Sequence, residues 1–362
     1  MAPEDSSRNQ PYNHIMVKDN HEFAKFSSGN HPLIVLDGVW GSGKSLLSPI
    51  LNSIRSVQMV RFDMSIEELV ILSNLGKIDD NTAKTLLQMH SDDLFYSNAI
   101  GRHINLRWKD DSGFKNNPRK RQSVRRIFGP EGDEVLRGAY NSGEYLNLMT
   151  HNLLPVSEIL FETFGPRMKF IEIVRHPVFM FEHWRNFLLR FNNTRESTLS
   201  FNINGKKVPW FALDWANEFS NSTFSEQSVL GILHLQREIL SHMQKLENTK
   251  NSILILSFEE LCFDSLQSLE KLYSYLNIDF TTMPTRAMRA SKIPRARILS
   301  GKGHEQYGWQ KNLGVSDDVY MEQIIAQIRD TVSKEIFEMF IQAVEEYNEV
   351  FPSKLNLYKF GG

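Results

Sequence analysis

The sequence predicts an α/β fold of three layers, in which helices cover both faces of a central parallel sheet. Short apolar runs rich in β-forming residues occur at Leu33–Asp37, 169–174 and 252–256, and segments with helical spacing separate them. Such uninterrupted apolar runs are typical of strands buried on both faces. Strands that alternate with helices pair in parallel, so the order indicates a doubly wound sheet.

Composition excludes several classes of protein. The chain has 362 residues, of which 41% are hydrophobic and 11% aromatic, so it can bury a sizeable core. Its 41 Lys and Arg residues nearly balance 43 Asp and Glu residues, which gives no global field for nucleic acid. The lone Cys262 excludes an intrachain disulfide and a cysteine-based zinc site, and we predict no metal. No apolar run approaches the ~18 residues of a membrane span, and residues 1–30 lack the apolar core of a secretory signal. We therefore expect a cytoplasmic protein.

The chain is expected to contain one domain, residues 31–350, between a flexible lead-in at 1–30 and a tail at 351–362. After the first strand a helix should begin near Gly43 and be distorted by Pro49. The other predicted elements, in order, are a strand at 57–62, helical segments within 64–100, a loop rich in glycine, proline and arginine at 109–132, a helix at 134–150, a helix at 178–190, a hairpin around Asn204 and Gly205, and helices at 223–247, 258–276 and 318–348.

The strongest motif is the run from Gly38 to Ser45, GVWGSGKS, which matches G-x-x-x-x-G-K-[ST]. It lies between a predicted strand and a predicted helix, where glycines allow successive backbone N–H groups to surround an anion. The helix N-terminus and Lys44 add positive charge. We therefore predict that seven residues of this loop and of the helix start bind phosphate: Gly38, Gly41, Ser42, Gly43, Lys44, Ser45 and Leu46.

The loop alone leaves the nucleotide open. A magnesium-dependent NTPase also needs an aspartate at the end of a neighbouring strand. The predicted strands at 169–174 and 252–256 end without one, and Glu259 is a weak substitute. ATP with magnesium nevertheless remains an alternative ligand, because the run from Val35 to Ser45 fits nucleotide kinases equally well.

Three further segments, in order, resemble the sulfotransferases that use 3′-phosphoadenosine-5′-phosphosulfate (PAPS). Thr150-His151-Asn152-Leu153-Leu154-Pro155 is similar to the family's Lys-Thr-His-x-x-Pro segment. The IEIV run followed by Arg175-His176-Pro177 is similar to its strand and Arg-x-Pro segment, and residues 253–278 look like its strand, Tyr-Glu-Asp-Leu turn and helix. The segments Ser300-Gly301-Lys302-Gly303 and Gly308-Trp309 resemble, more weakly, the family's Arg-Lys-Gly loop, which covers the donor. The resemblance spans about 33–310.

The resemblance implies a P-loop sulfotransferase that moves sulfonate from PAPS to a hydroxyl, with Lys44 on the leaving group and His151 as general base. Arg175 would hold the 3′-phosphate, and His183 would replace the serine that normally helps it. Lys302 and Gly303 would close over the donor. The loop at 41–45 is fuller than the family's Lys-Ser-Gly-Thr-Thr, and Gly301 replaces the arginine of Arg-Lys-Gly. An ATP-dependent kinase and a non-catalytic nucleotide-binding protein therefore remain alternatives.

The acceptor is expected to bear a hydroxyl on a glycan, a lipid or a small molecule. A basic run in the predicted loop consists of Lys115, Arg119, Lys120, Arg121, Arg125 and Arg126. It is either a solvated loop, a lid for an anionic glycan or lipid head group, or a contact with an anionic membrane surface. Aromatic residues are not interleaved with these charges, which argues against nucleic acid. The sequence does not predict the oligomeric state.

Overall fold

The strands confirm the predicted parallel sheet. A computed structural model describes residues 23–25, 29–107, 114, 117–191, 193, 196–246, 253–279, 284–301, 314–353 and 355. Within these residues the strands are β1 (Leu33–Asp37), β2 (Arg61–Phe62), β3 (Leu146–Met149), β4 (Met168–Val174), β5 (Ser200–Ile203), β6 (Lys206–Pro209) and β7 (Ile253–Ser257). Five of them form a parallel sheet in the order β2-β3-β1-β4-β7, and β5 and β6 form the predicted hairpin.

Helices connect these strands. They are α1 (Lys44–Ser53), α2 (Met64–Asn74), α3 (Asp80–Ala99), α4 (Lys120–Ile127), α5 (Asp133–Asn141), α6 (Glu158–Phe164), α7 (Phe181–Arg190), α8 (Ala216–Asn221), α9 (Phe224–Leu246), α10 (Phe258–Phe263), α11 (Ser265–Leu276), α12 (Thr285–Ser291), α13 (Asp317–Thr331) and α14 (Lys334–Val350). Short 3₁₀ turns add Leu154–Val156, Gly165–Arg167, Pro177–Met180, Trp210–Ala212 and Ile298–Ser300.

Both faces of the sheet are covered. Successive residues of a strand point to opposite faces, and Leu33, Ile34, Val35 and Leu36 are all fully buried. The connection from β1 to β2 runs along the sheet in the direction opposite to those from β2 to β3, β3 to β4 and β4 to β7. Right-handed connections therefore place α1 on one face and α2, α3, α6, α7 and α9 on the other. Contacts of α1 with α12, and of α3 with α6, agree with this division.

The prediction of a helix at 134–150 was wrong over its second half. Helix α5 ends at Asn141, and Gly143 has φ 61°, a conformation that favours glycine and ends the helical path. The chain then enters β3, which pairs with β1 and fills the position beside it. The predicted strand at 57–62 is shorter, because only Arg61 and Phe62 join the ladder, while Val57 makes an isolated bridge to Tyr145.

The prediction of a loop at 109–132 was also wrong in part, because α4 lies inside it. Residues 120–127 contain no glycine or proline and are rich in residues with good helix propensity. Arg119 donates hydrogen bonds to the carbonyls of Arg55 and Val57. Arg126 binds both carboxylate oxygens of Glu144, at 2.7 and 2.9 Å. Two of the six basic residues therefore anchor the segment rather than extend into solvent, and Lys115 lies outside the described residues.

The predicted helix at 318–348 consists of two helices. Val332 is extended, with φ −123° and ψ 166°, and the Ser333 side chain caps α14 by accepting from the Ile336 N–H. Phe340 and Val344 of α14 are buried within this chain. At the end of the predicted lead-in, the Gly29 N–H donates to the Asp92 carboxylate of α3. Residues 1–22, 26–28 and most of the predicted tail lie outside the described residues.

None of the helices in the described ranges combines the length and apolar character that crossing a bilayer requires.

Candidate functional site

The predicted site residues gather at one edge of the sheet. Strand β1 leads into the glycine loop, β3 into Thr150 and His151, β4 into Arg175, and β7 into Phe258. These are the carboxyl ends of four neighbouring parallel strands, the edge at which ligands bind in open α/β sheets. The prediction that these segments share one site is therefore supported by their placement.

The glycine loop has the backbone of an anion cradle. Gly38, Gly41 and Gly43 have φ of 146°, 89° and 105°, values that residues with a side chain rarely adopt. A Cβ on Gly43 would collide with the ring of Phe258, and one on Gly41 would lie 2.8 Å from Cδ2 of His183. The hydroxyl oxygen of Ser42 is buried and has no hydrogen-bond partner among the described residues. An anion in the loop would supply that partner, so the loop fits a phosphate-like group.

Lys44 closes the loop on itself. Its ammonium group donates to the carbonyl oxygens of Gly38 and Val39, the latter at 3.2 Å, and its side chain is 6% exposed. Burial lowers its pKa, whereas the nearby carboxyl groups of Asp37, Glu172 and Glu67 oppose that shift. The lysine therefore lies inside the loop, where an incoming anion would replace the carbonyl oxygens as its partner.

Two buried carboxyl groups lie beneath the loop. Asp37 accepts hydrogen bonds from Thr150 Oγ1 at 2.8 Å and from the N–H groups of Leu153 and Leu154 at 2.7 and 2.9 Å. It thereby fixes the segment that carries His151. Glu172 is paired with Asp37 across the β1–β4 ladder, and burial with the neighbouring Asp37 charge raises its pKa well above the ordinary value. Burial therefore favours the neutral form of the Glu172 carboxyl group.

His151 is held against the glycine loop. Its Nδ1 lies 3.0 Å from Glu67 Oε1, and its ring stacks on the Trp40 indole with centroids 5.4 Å apart. The Phe62 ring meets it edge-on at 5.1 Å. Burial and the Lys44 charge lower the His151 pKa well below 6.5, and burial also raises that of Glu67. The imidazole is therefore neutral at neutral pH, and its Nδ1 is in hydrogen-bond contact with Glu67.

Arg175 supports the loop from the β4 side. Its guanidinium donates to the Gly41 carbonyl at 2.9 Å and lies 4.2 Å from the centroid of the Phe258 ring. Burial lowers its pKa to about 10, so the group stays charged. Arg295 lies 5.4 Å from the same ring on the segment before the Ile298–Ser300 turn, and it also donates to the Cys262 sulfur at 2.8 Å. Two cations therefore flank Phe258 beside the loop.

His183 lies against the glycine loop. A Cβ on Gly41 would lie within 3 Å of its ring, and burial together with the charge of Arg175 lowers its pKa to about 3. The imidazole is therefore neutral and half-buried. A neutral imidazole can still donate one hydrogen bond to a phosphate, as a hydroxyl does, so its role as a phosphate ligand stays a prediction.

Glu259 is fully buried, and its carboxylate is hydrogen-bonded to other groups of the protein. Its carboxylate accepts from the backbone N–H of His176 at 3.2 Å and from the hydroxyl of Tyr347 at 2.7 Å. Within the described ranges, no group of three or more His, Cys, Asp or Glu side chains is placed to hold a metal ion. Beside the loop, the carboxylate of Asp37 accepts three hydrogen bonds, and Glu172 is the neighbouring buried carboxyl group.

A narrow cavity of about 40 Å³ opens on the exposed side of His151. Its walls include Trp40 from the glycine loop, Phe62, and Trp210 from the turn after β6. Five other aromatic residues near this part of the chain are buried in the core, where packing accounts for them: Trp184, Phe187, Phe191, Phe211 and Trp215.

Lys302 and Gly303 lie outside the described residues, as do Gly308 and Trp309. The remaining predicted residues of the phosphate loop, from Gly38 to Leu46, occupy one continuous turn into α1.

Sequence reasoning missed several residues of the site: Asp37, Glu67, Glu172, Phe258 and Arg295. Two of them had a visible signal. Asp37 ends an apolar strand directly before a glycine. Glu172 interrupts the apolar run of β4, where burial of a carboxyl group costs free energy unless the group has a partner. Glu67 had none, because its contact with His151 joins residues 84 positions apart.

No protein-family model matches the sequence, and no curated protein matches it. Among solved structures, the sulfotransferase domain of the Synechococcus PCC 7002 olefin synthase aligns with 92% of this chain and 100% of its own, at 12% identity and TM-score 0.41. The sulfotransferase domain from the curacin biosynthetic pathway covers 87% and 98%, at 13% identity and TM-score 0.38. A mouse sulfotransferase complexed with PAP covers 90% and 91%, at 15% identity and TM-score 0.38. The strand order and loop geometry of this chain carry its fold assignment independently.

Proposed function

We propose that this protein is a sulfotransferase that moves a sulfonate group from PAPS to a hydroxyl of an acceptor. The observation that carries the proposal is the contact between a neutral histidine and an anion-binding loop, since Trp40 of the loop stacks on His151. A protein that only bound a nucleotide would not need a basic nitrogen there. PAPS, when bound, supplies the sulfonate and leaves as 3′-phosphoadenosine 5′-phosphate (PAP).

The loop and Lys44 would hold the phosphosulfate end of the donor. The N–H groups of the loop and the start of α1 favour negative charge, and Ser42 offers a buried hydroxyl without a present partner. Negative charge grows on the bridging oxygen as its bond to sulfur breaks. Lys44 would therefore stabilise the transition state more than the ground state, which is the condition for raising the rate.

His151 would act as the general base. Its Nε2 accepts the proton of the acceptor hydroxyl while the new oxygen–sulfur bond forms and the electron pair of the old bond goes to the departing phosphate oxygen. Glu67, 3.0 Å from Nδ1, fixes the ring and stabilises the imidazolium that results. The donor's negative charge would raise the His151 pKa from its depressed value toward the range in which a base is most effective.

Arg175 would select the adenosine end by pairing with the 3′-phosphate. It follows β4 directly, remains charged, and is planar, so two of its N–H groups can bind one phosphate. Phe258, against which it packs, offers an apolar surface beside the phosphate loop. Arg295 adds a second cation on the same side.

An ATP-dependent kinase is the second candidate, favoured by the run Gly43-Lys44-Ser45 at the start of α1. It would need a carboxylate for magnesium near the loop, and Glu172 is the residue in that position. A kinase should lose activity ~100-fold or more in Glu172→Gln, because a metal ligand is removed. A sulfotransferase of the proposed kind should keep its turnover within ~3-fold, because Glu172 would hold no metal ion in its reaction and the amide keeps the shape of the side chain.

A pair of ligands that differ only in the 3′-phosphate tests the donor. Binding of PAP and of adenosine 5′-monophosphate (AMP) is measured by calorimetry without metal, for the wild type and for Arg175→Ala. We expect the wild type to prefer PAP at least ~10-fold, and the variant to lose that preference while it still binds AMP. Retained AMP binding shows that the loop survives loss of the bond from Arg175 to Gly41.

The same titrations separate the alternatives. A preference for ATP that requires magnesium would overturn the proposal in favour of the kinase. If PAP binds, but Lys44→Ala and His151→Ala leave turnover unchanged with every acceptor, the protein is not catalytic through this site and is a nucleotide-binding protein instead.

We also propose that the outer face of α4 contacts an anionic membrane surface. Lys120, Arg121 and Arg125 are exposed there, next to Val124 and Ile127, which are 42% and 50% exposed. Phe128 at the helix end is 85% exposed. Basic and apolar side chains on one short helix suit the boundary between lipid head groups and acyl chains.

A further inference from the structure

The cavity beside His151 has an acidic lining. Glu67 and Glu68 come from the first turns of α2, and Glu196 comes from the segment that precedes β5. No lysine or arginine lines this cavity within the described part of the chain. Two separate segments thus converge to place carboxyl groups around the space that an acceptor must enter.

The carboxyl group of Glu196 is held in position. Its Oε1 accepts hydrogen bonds from the Thr198 N–H at 3.0 Å and from the Thr198 hydroxyl at 2.6 Å. Burial lowers the His151 pKa, and the charge of Glu196 is among those that oppose that shift. Carboxylates that line the cavity would repel an anionic acceptor, which argues against the phosphorylated glycan that the basic run suggested.

The remaining walls suit a cation. Phe62, which is 52% exposed, and Trp210, which is buried, both line the cavity. Aromatic faces attract ammonium groups through the ring quadrupole, and neighbouring carboxylates reinforce that attraction. A neutral polyol would gain from neither feature.

We propose that the acceptor is a hydroxyl compound that also carries an ammonium or quaternary amine group. The hydroxyl faces Nε2 of His151, and the cation lies between the carboxylates of Glu68 and Glu196 and the rings of Phe62 and Trp210. This inference rests on the proposed function, because it uses His151 as the base for the same reaction.

Three phenols of similar shape test the charge preference: tyramine, 4-ethylphenol and 4-hydroxyphenylacetate, which are cationic, neutral and anionic at neutral pH. Their binding to the protein saturated with PAP is followed by tryptophan fluorescence and calorimetry. We expect tyramine to bind about tenfold more tightly than 4-ethylphenol, and 4-hydroxyphenylacetate to bind more weakly than both. The Glu68→Gln/Glu196→Gln double variant should reduce the preference for tyramine to within ~2-fold. The matched control, Glu270→Gln on the exposed side of α11, should keep it.

Equal binding of tyramine and 4-ethylphenol, absence of saturable tyramine binding, or a preference that survives in the double variant would overturn the inference. Binding of PAP is measured first and alone. If PAP fails to bind, the proposed function fails, and the same comparison on the nucleotide-free protein still decides whether the cavity selects a cation.

Discussion

The imidazole of His151 and the indole of Trp40 lie nearly parallel, with ring planes 15° apart. Trp40 belongs to the glycine loop, whereas His151 follows β3, so the stack joins the anion-binding segment to the proposed base. Phe187 packs on Trp40 as well, with centroids 5.1 Å apart. A ligand that rearranged the loop would therefore also shift the surface against which His151 packs.

Lys44→Ala should abolish most of the turnover and leave the protein folded. The lysine now bonds only to loop carbonyls, and its proposed role begins when negative charge develops on the leaving group. Removal of one such stabilising group lowers turnover by about 10²–10³. The rate of PAPS consumption with a saturating acceptor measures the effect.

The control for that experiment is Lys84→Ala, which removes an exposed lysine paired with Glu162 on the surface. It should leave turnover unchanged. Equal losses in both variants, or a Lys44→Ala protein with full activity, would contradict the role assigned to Lys44.

The pH profile should show activity well into the acid range. Burial and the Lys44 charge hold the His151 pKa well below 6.5, so the free enzyme keeps a neutral base as the pH falls through that value. We expect kcat/KM for PAPS, which reports on the free enzyme, to remain at about pH 6 near its value at about pH 7.5. A steady fall to half at pH 6.5 would show an unperturbed imidazole. His151→Gln should lower kcat/KM by about 10²–10⁴ across the whole range.

The sheet could be predicted from the sequence more completely than the site. The strands β1, β4 and β7 are uninterrupted apolar runs, and the glycine loop is recognised locally because its function depends on consecutive residues. Strand β3 was not predicted. It has only four residues and follows a helix after a short turn, so its apolar residues were assigned to that helix. Helix α4 was not predicted, because the glycine and proline residues on both sides of it indicated a loop for the whole segment 109–132.

The contacts of the site are mostly long-range, which explains why they could not be predicted. His151 was identified from its segment, but its partner Glu67 lies on α2, and Asp37 reaches Leu153 across 116 positions. Spacing within a segment gives no information about such pairs. His183 was expected at the phosphate because of its distance from Arg175 along the chain, and the structure places its ring beside Gly41 of the loop.

His176 should make the protein less stable at acid pH. Burial and the neighbouring Arg175 charge lower its pKa to about 3, so it stays neutral in the folded protein and protonates only on unfolding as the pH falls below 6.5. Its contribution to stability is present above that value and declines by about 1.4 kcal/mol per pH unit below it. Buried glutamates with raised pKa values oppose this trend, so the comparison must be made between variants.

His176→Asn provides that comparison, because asparagine can still accept from the Val178 N–H that His176 Nδ1 now caps. Between about pH 8 and about pH 5, the wild type should lose about 2 kcal/mol of unfolding free energy relative to the variant. Urea unfolding at the two pH values measures the difference, and His103→Gln, at an exposed position, is the control. Parallel pH dependences of wild type and His176→Asn would contradict the assignment.

Membrane binding through α4 should depend on both its charge and its exposed aromatic ring. The Arg121→Glu/Arg125→Glu variant reverses two exposed charges and should weaken binding to phosphatidylserine vesicles at least ~10-fold, since each basic residue near an anionic surface contributes about 1 kcal/mol. Phe128→Ala should weaken it less and leave its salt dependence intact, because it removes apolar contact only. Arg329→Glu on α13 is the matched control, as its side chain is 62% exposed and lies outside the proposed surface. Co-sedimentation with phosphatidylserine and phosphatidylcholine vesicles measures all four proteins. Binding that is the same for both lipids, or that survives the double reversal, would show that α4 is simply a solvated surface helix.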